Sequence, residues 1–279
     1  MNKSVVFCGY GSLAIECLKV LIKNGYDIHF ILTHKDSSSY TLTDFATENG
    51  IQYYYDDMRK NNVFDSNQIS VEYIISINYR YILPKKFFDN SKYAINIHGS
   101  LLPSYRGRTP HVWSIINGEE YSGVTCHLID EGIDTGEIIE QVRVKIETSD
   151  TGYSLLKKFE EIYPSLLIDS LTKIEAGFVA IKQDSTKASY YGKRIPEMGY
   201  IDFYKNKSQI INFVRAQAYP YPGAYYFLNN GKKIIINTIE NEYNTNIYIE
   251  KIAVITDIGN EYYVRCNDGI LKIVDYKII

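Results

Sequence analysis

Residues 4–32 read SVVFCGYGSLAIECLKVLIKNGYDIHFIL, and this stretch decides the fold. Val5 to Cys8 is an apolar run that ends at Gly9, and the apolar residues that follow it recur at helical spacing until Gly25. A second apolar run, Ile28 to Leu32, comes directly afterwards. This succession of strand, helix and strand predicts a βαβ unit, whose strands are parallel and whose sheet is covered on both faces.

The alternation of predicted strands and helices continues along the chain. We therefore expect an α/β fold with a Rossmann-like, mostly parallel sheet in the N-terminal part. After Asp150 the apolar spacing predicts a long amphipathic helix that is bent or broken at Pro164. The other predicted strands are Ile51–Tyr55, Tyr73–Ile77, Tyr93–His98, Val124–Ile129 and Ile138–Ile146, and the other predicted helices are Thr41–Asn49 and Val112–Asn117.

The pattern of apolar residues changes in the last third of the chain. A polar segment after Gly177 predicts a linker, and a short helix is predicted at Ser208–Gln217. Short alternating runs then follow, separated by the hairpin turn signals Asn229-Asn230-Gly231, Gly259-Asn260 and Asn267-Asp268-Gly269. We expect a catalytic domain over residues 1–195 and a small β-rich domain, an OB-like barrel or open sheet of five strands, over residues 196–279.

Composition excludes several classes of protein. The 279 residues include 30 Lys and Arg against 33 Asp and Glu, a formal net charge of -3, which disfavours a general nucleic-acid binder. The four cysteines are widely spaced, without the pairs that zinc sites or disulfide frameworks need. No apolar run approaches the roughly 18 residues of a membrane span, so we expect a cytoplasmic protein. Tyrosine, with 27 copies, is unusually frequent.

The glycine turn between the first strand and the first helix leaves two interpretations open. Residues 9–14 read GYGSLA and match the G-x-G-x-x-A fingerprint of dinucleotide-binding sites, in the required position after a strand. The acidic residue that binds the ribose is expected about 20 residues further on. Neither Asp27 nor Asp36 stands at the expected strand tip. The turn thus predicts either a nicotinamide oxidoreductase or only a tight backbone turn.

Two later segments carry groups suited to acyl transfer. In residues 94–110, AINIHGSLLPSYRGRTP, Asn96 and His98 are two positions apart at a strand end, so their side chains share one face. An amide and an imidazole together can stabilise an oxyanion and accept a proton. Residues 129–137, IDEGIDTGE, offer a carboxylate partner that would raise the pKa of His98 and fix its tautomer. Side-chain chemistry alone does not choose between three acids in that segment, Asp130, Glu131 and Asp134.

These motifs resemble a known family. NIHGSLLPSYRG followed by GVTCHLIDEGIDTGE is similar to the folate-dependent formyltransferases. The resemblance implies that Asn96, His98 and Asp134 are the catalytic residues, and it selects Asp134 over Asp130. It continues through GKRIPEMGYIDF and INFVRAQAYPYPGAYYF, which resemble the junction and second domain of methionyl-tRNA formyltransferases and of enzymes that formylate nucleotide-linked amino sugars.

The segment IISINYRYILP, residues 74–84, resembles the amino-sugar enzymes more than the tRNA enzymes. The resemblance implies 10-formyltetrahydrofolate as the formyl donor, the amine of a dTDP-, UDP- or GDP-linked amino sugar as the acceptor, and no metal. Arg80 and Arg106 are predicted to contact the diphosphate. His111 and His127 are interpreted as structural. The implied substrate-binding residues are Gly9, Tyr10, Gly11, Ser12, Asn78, Tyr79, Arg80 and Arg106, and the implied folate-binding residues are Tyr81, Ile82, Leu83, Ile129, Asp130, Gly132 and Ile133.

The sequence therefore predicts an N-formyltransferase that works in the synthesis of O-antigen or another surface polysaccharide. We expect a sugar nucleotide and folate as its small-molecule partners, neither nucleic acid nor membrane, and a homodimer as in the sugar enzymes it resembles. A methionyl-tRNA formyltransferase is the alternative within the family. An NAD(P)-dependent oxidoreductase and a non-catalytic sugar-nucleotide binder are the alternatives from other classes.

Overall fold

A computed structural model describes residues 3–36, 38–55, 57 and 70–279. The chain forms two compact units, each assembled from separate stretches of sequence. The predicted domain boundary between residues 195 and 196 stays a prediction. The first unit comprises Met1–Arg106, Gly123–Arg143 and Phe159–Tyr190, and the second comprises Gly107–Ser122, Val144–Lys158 and Tyr191–Ile279.

A seven-stranded sheet forms the centre of the first unit. Its strand order is β3-β2-β1-β4-β5-β7-β8, in which β1 to β5 are parallel and β7 is antiparallel to β5. The predicted Rossmann-like, mostly parallel sheet is confirmed. The strands are β1 (Ser4–Gly9), β2 (Asp27–Thr33), β3 (Tyr53–Tyr55), β4 (Val71–Ile77), β5 (Ser91–His98), β7 (Tyr121–Leu128) and β8 (Ile138–Lys145), while β6 (Arg106–Gly107) pairs with β9 (Tyr190–Tyr191).

Four helices lie between or after these strands in the sequence: α1 (Gly11–Lys23), α2 (Leu42–Glu48), α3 (Lys85–Phe88) and α5 (Gly152–Glu175). The apolar side of α1 is buried, as its helical spacing predicts, except for Ile22, which is 37% exposed. Helix α5 continues through Pro164, so the predicted break is wrong, while the predicted bend stays a prediction. Tyr163 and Leu166, on either side of this proline, are buried, and burial of the apolar face opposes the lost backbone hydrogen bond.

The second unit contains α4 (Pro110–Ile116), α6 (Lys207–Ala216) and a five-stranded antiparallel sheet. Ile210 and Val214 of α6 lie in one apolar core with Ile236 and Leu271 of the sheet. The predicted hairpin turns connect neighbouring strands, so the β-rich C-terminal region is confirmed. The strand order is β10-β11-β14-β13-β12, with β10 (Ala224–Phe227), β11 (Lys233–Asn241), β12 (Ile255–Ile258), β13 (Glu261–Cys266) and β14 (Gly269–Ile278).

Three further observations concern the described parts of the chain. Within them, no helix has both the length and the apolar character needed to cross a membrane. No cluster of three or more His, Cys, Asp or Glu side chains there is arranged to hold a metal ion. The four cysteines are buried as free thiols.

Candidate active site

Asn96 and His98 lie at the carboxyl end of β5, at the edge of the sheet where the parallel strands end. Side chains alternate along a strand, so these two project from the same face. The antiparallel strand β7 places His127 opposite Asn96 and Thr125 opposite His98. Cross-strand partners also share a face, so the four side chains form one polar group at the position where open α/β sheets bind ligands.

His98 is buried, and both of its ring nitrogens face polar groups. Nε2 lies 2.9 Å from the backbone oxygen of Tyr105, and Nδ1 lies 3.6 Å from a carboxylate oxygen of Asp134. A carbonyl oxygen only accepts, so Nε2 carries the proton of the neutral imidazole and Nδ1 is left as the proton acceptor. The backbone of Tyr105 therefore fixes the tautomer, a role that the sequence assigned to the carboxylate partner.

The pKa of His98 is lower than its usual value of 6.5, chiefly because burial disfavours the charged ring. Asp134 raises this pKa, as the sequence predicts, and the Tyr105 carbonyl acts in the same direction. Burial outweighs both, which sequence reasoning did not anticipate. His98 is consequently neutral at pH 7 and able to accept a proton.

Asp134 lies between two imidazoles. One carboxylate oxygen faces His98, and the other is 3.7 Å from Nε2 of His127. Asp130 instead accepts a hydrogen bond from the backbone nitrogen of Gly132 at 3.0 Å, and thereby holds its own loop. The geometry thus places Asp134, and not Asp130, beside the imidazole of His98, a choice that side-chain chemistry alone left open.

His127 was interpreted as structural, but the structure places it in direct contact with this group. Its Nδ1 donates to the backbone oxygen of Leu128 at 2.7 Å, which leaves Nε2 as an acceptor. Nε2 lies 3.1 Å from Nδ2 of Asn96 and so fixes the orientation of that amide. One Asn96 N–H is used in this contact, and the second is available for a ligand oxygen. His111 lies in the second unit, where its Nε2 is 3.0 Å from the hydroxyl of Tyr221.

A group of aromatic rings follows β1, β2 and β4 at the same edge of the sheet. Tyr10 stacks on His34 with ring centroids 4.0 Å apart, and Tyr79 meets Tyr81 edge to face at 5.5 Å. The guanidinium of Arg80 lies 6.0 Å from the ring centre of Tyr81. Four of these residues were predicted to bind substrate or folate. His34 was missed, since nothing in its sequence neighbourhood separates it from a core residue.

Burial lowers the pKa of His34 to about 4, with the nearby charge of Arg80 acting in the same direction. This ring is protonated in the unfolded chain below about pH 6.5 but remains neutral in the folded protein until about pH 4. The free energy of unfolding is therefore expected to fall by about 1 to 3 kcal/mol as the pH drops through that window. Urea unfolding of His34→Phe, which keeps the stacked ring, should show a shallower fall than wild type. An unchanged slope would contradict this account.

The glycine turn is explained by backbone geometry. A side chain at Gly9 would approach the Phe7 ring to 2.4 Å, and Gly11 opens α1 with a φ of 73°. Ser12 is exposed there. Of the other predicted ligand contacts, Asn78 has a left-handed backbone with φ 55°, and Leu83 is buried in the apolar core. Ile82, Ile133 and Gly132 are exposed, and Ile129 is half-buried.

Arg106 is placed differently from the other predicted substrate contacts. It is 2% exposed, and its guanidinium donates to the Gln183 side chain at 2.7 Å and to the Tyr190 hydroxyl at 2.6 Å. These contacts lie within the first unit and favour a structural role. We therefore do not include Arg106 among the residues proposed to contact a diphosphate.

Two family models match this chain. The formyl transferase family model matches residues 3–171, and the formyl transferase C-terminal domain model matches residues 194–278. The chain belongs to the formyl transferase family. The expectation that it is an N-formyltransferase, made from the motifs around Asn96 and Asp134, is confirmed.

Relatives of two kinds match nearly the whole chain. The methionyl-tRNA formyltransferases of Thermodesulfovibrio yellowstonii and Lachnospira eligens are 30% and 29% identical, over 98% of this chain and 91% of each relative. WlaRD, a sugar 3N-formyl transferase solved with dTDP and 5-N-formyl-THF, is 25% identical with a TM-score of 0.76, over 99% of this chain and 98% of its own. The N-formyltransferase of Helicobacter canadensis, solved with folinic acid and dTDP-3-aminofucose, is 23% identical with a TM-score of 0.78, over 99% and 100%.

Proposed function

We propose that this formyl transferase moves a formyl group from 10-formyltetrahydrofolate to the amine of a nucleotide-linked amino sugar. The observation that carries the formyl-transfer step of the proposal is the convergence of Asn96, His98 and Asp134, with His98 Nδ1 3.6 Å from the carboxylate and Asn96 oriented by His127. An amide donor, a neutral imidazole and a carboxylate are the groups that acyl transfer to an amine requires.

In this reaction the amine nitrogen attacks the formyl carbon and forms a C–N bond. The free N–H of Asn96 donates to the oxygen of the tetrahedral intermediate, which carries the developing negative charge. His98 Nδ1 accepts the proton that the amine loses, and Asp134 stabilises the resulting imidazolium. The bond from the formyl carbon to N10 of the folate then breaks, and the proton passes from His98 to that nitrogen.

Two observations support a sugar nucleotide as the acceptor. The solved structure of WlaRD, a sugar enzyme with dTDP and a formyl folate, covers 99% of this chain. Basic side chains are also sparse where a tRNA would need them: residues 28–55 contain one, Lys35, and the C-terminal family domain has nearly as many acidic as basic residues. We propose a role in the synthesis of O-antigen or another surface polysaccharide. The cytoplasmic location and the homodimer stay predictions.

The aromatic group near the predicted ligand site is consistent with this acceptor. Tyr10, Tyr79 and Tyr81 offer flat apolar faces with hydroxyl groups, which suit a base or a sugar ring. Arg80 beside them supplies a positive charge for a diphosphate. The folate is proposed to lie against Tyr81 to Leu83 and the loop from Ile129 to Ile133.

Methionyl-tRNA formylation is the second candidate. The curated relatives at 29% and 30% identity are methionyl-tRNA formyltransferases that match almost the whole chain. This function would require phosphate contacts along the acceptor stem of a tRNA, since phosphate neutralisation dominates such binding. The two candidates use the same catalytic groups and differ only in the acceptor.

A thermal-shift panel separates the two acceptors. With 5-formyltetrahydrofolate present, we expect dTDP, UDP or GDP to raise the Tm, because a ligand at 100 times its Kd stabilises the folded state by about 2.7 kcal/mol. Initiator tRNA should give no mobility shift at physiological salt. A tRNA complex under those conditions, with no Tm change from any nucleotide, would replace the sugar hypothesis by the tRNA one.

A further inference from the structure

The segment from Gln183 to Tyr190 lies in the stretch that the sequence assigned to a linker, yet it packs inside the first unit beside the catalytic group. We propose that Gln183 is a positioning residue that holds Asp134 against His98, and that Ser189 in the same segment holds Tyr105 on the other side of His98. This inference rests on the proposed function of Asn96, His98 and Asp134 and assigns it two supporting residues.

The side-chain amide of Gln183 is buried, 7% exposed, and both of its ends are engaged. Its nitrogen donates to the backbone oxygens of Asp134 at 2.9 Å and Gly136 at 2.7 Å. Its oxygen accepts from Nη2 and Nε of Arg106 at 2.7 and 3.2 Å. Gln183 thus joins the loop that carries Asp134 to a buried guanidinium.

Arg106 determines which way this amide points. A guanidinium has only donors, so the Gln183 oxygen must face it, and the amide nitrogen is turned towards the Asp134 loop. Tyr190 holds the guanidinium from the other side through its hydroxyl, at 2.6 Å. The buried arginine therefore acts through Gln183 on the position of Asp134.

The backbone of Asp134 needs such support. Its φ is 54°, in the left-handed region that residues with side chains seldom adopt, and such a conformation persists only where surrounding contacts hold it. The loop is also tightly packed beyond it, since a side chain at Gly136 would come within 1.8 Å of the Leu128 oxygen. The two hydrogen bonds from Gln183 keep this turn in the form that points the carboxylate at His98.

Tyr105 shows the same arrangement on the other side of His98. Its φ is 62°, also left-handed, and its backbone oxygen is the group that accepts from His98 Nε2. The Tyr105 nitrogen donates to the Ser189 hydroxyl at 2.9 Å, and the Arg106 nitrogen donates to the Ser189 backbone oxygen at 2.8 Å. Asp134 and Tyr105, the two left-handed residues beside the His98 imidazole, are therefore both held by the segment from Gln183 to Tyr190.

Two substitutions separate the positioning role from a merely structural one. Gln183→Glu keeps an acceptor for Arg106 but replaces the amide donor, so the Asp134 loop loses its two hydrogen bonds. Gln183→Met removes both the amide donor and the amide acceptor. Gln52→Met, the same chemical change at an exposed position between α2 and β3, is the matched control. The measurements are steady-state formyl transfer, the Tm, and an NMR titration of the His98 imidazole in the substrate-free protein.

We expect kcat to fall by about 10-fold or more in both Gln183 variants, with KM for the formyl donor within about twofold, because a displaced catalytic group affects the chemical step. In Gln183→Met the pKa of His98 should fall as the carboxylate that raises it moves away. The Gln52→Met control should match wild type in all three measurements.

Wild-type kcat and an unchanged His98 titration in the Gln183 variants would overturn the proposal. A loss of activity fully explained by a lower folded fraction, with the titration unchanged, would overturn it as well. If wild-type protein formylates no amino sugar, the proposed acceptor fails; the NMR titration uses no acceptor and still decides whether Gln183 positions Asp134.

Discussion

Replacing Asn96 with alanine is expected to reduce kcat by about 10² to 10³-fold, equivalent to about 2.7 to 4 kcal/mol of barrier. Asn96 is oriented by His127, whose Nε2 takes one amide N–H and leaves the other for the oxyanion. Alanine removes the donor at the atom where negative charge develops. Steady-state formyl transfer with a saturating amino sugar measures the effect.

The same variant should bind its substrates almost normally. The amide acts mainly in the transition state, so the Kd of the sugar nucleotide, measured by calorimetry, is expected to change by less than about threefold. Asn246→Ala, an exposed site in the second unit, controls for the substitution itself. Turnover of Asn96→Ala close to that of wild type would remove Asn96 from the mechanism.

Asp134→Asn is expected to lower kcat by about 100-fold or more, because the imidazolium formed at His98 loses its counter-charge. The tautomer of His98 is set by the Tyr105 carbonyl at 2.9 Å, so the amide should not reverse it. The loss is therefore expected to be smaller than the roughly 10⁴-fold seen where a carboxylate alone sets the tautomer of a catalytic histidine.

The pH dependence of kcat in Asp134→Asn is expected to shift in a definite direction. Asp134 raises the pKa of His98, so Asp134→Asn should move the acidic limb of the kcat profile to lower pH while reducing its height. Asp202→Asn, at an exposed position, is the matched control. An acidic limb that moves to higher pH, or a kcat equal to wild type, would show that Asp134 does not stabilise the charged imidazole.

Local patterns accounted for the features that depend on neighbouring residues. The apolar runs around Gly9 and Gly25 predicted the first βαβ unit, because strand and helix periods are written in consecutive side chains. The two-residue spacing of Asn96 and His98 predicted that they share a face. Helix α5 departs from a local rule at Pro164, where it continues without a break between the buried residues Tyr163 and Leu166.

Contacts between distant segments could not be obtained in this way. His127 meets Asn96 because of the antiparallel register of β5 and β7, and strand register is decided by pairing across the sheet. Gln183 lies 49 positions from the Asp134 oxygen that it binds, in a stretch without periodicity. The lowered pKa of His98 arises from burial, which is a property of the assembled core.

The sequence by itself determined the fold class, the family and the three residues expected to act on the formyl group, because periodicity and motif are local properties of the chain. Only the tertiary structure decided how these groups are held: the tautomer of His98 by Tyr105, the amide of Asn96 by His127, and the turn at Asp134 by Gln183. The physical reason is that hydrogen-bond partners and burial depend on which distant segments the fold brings together.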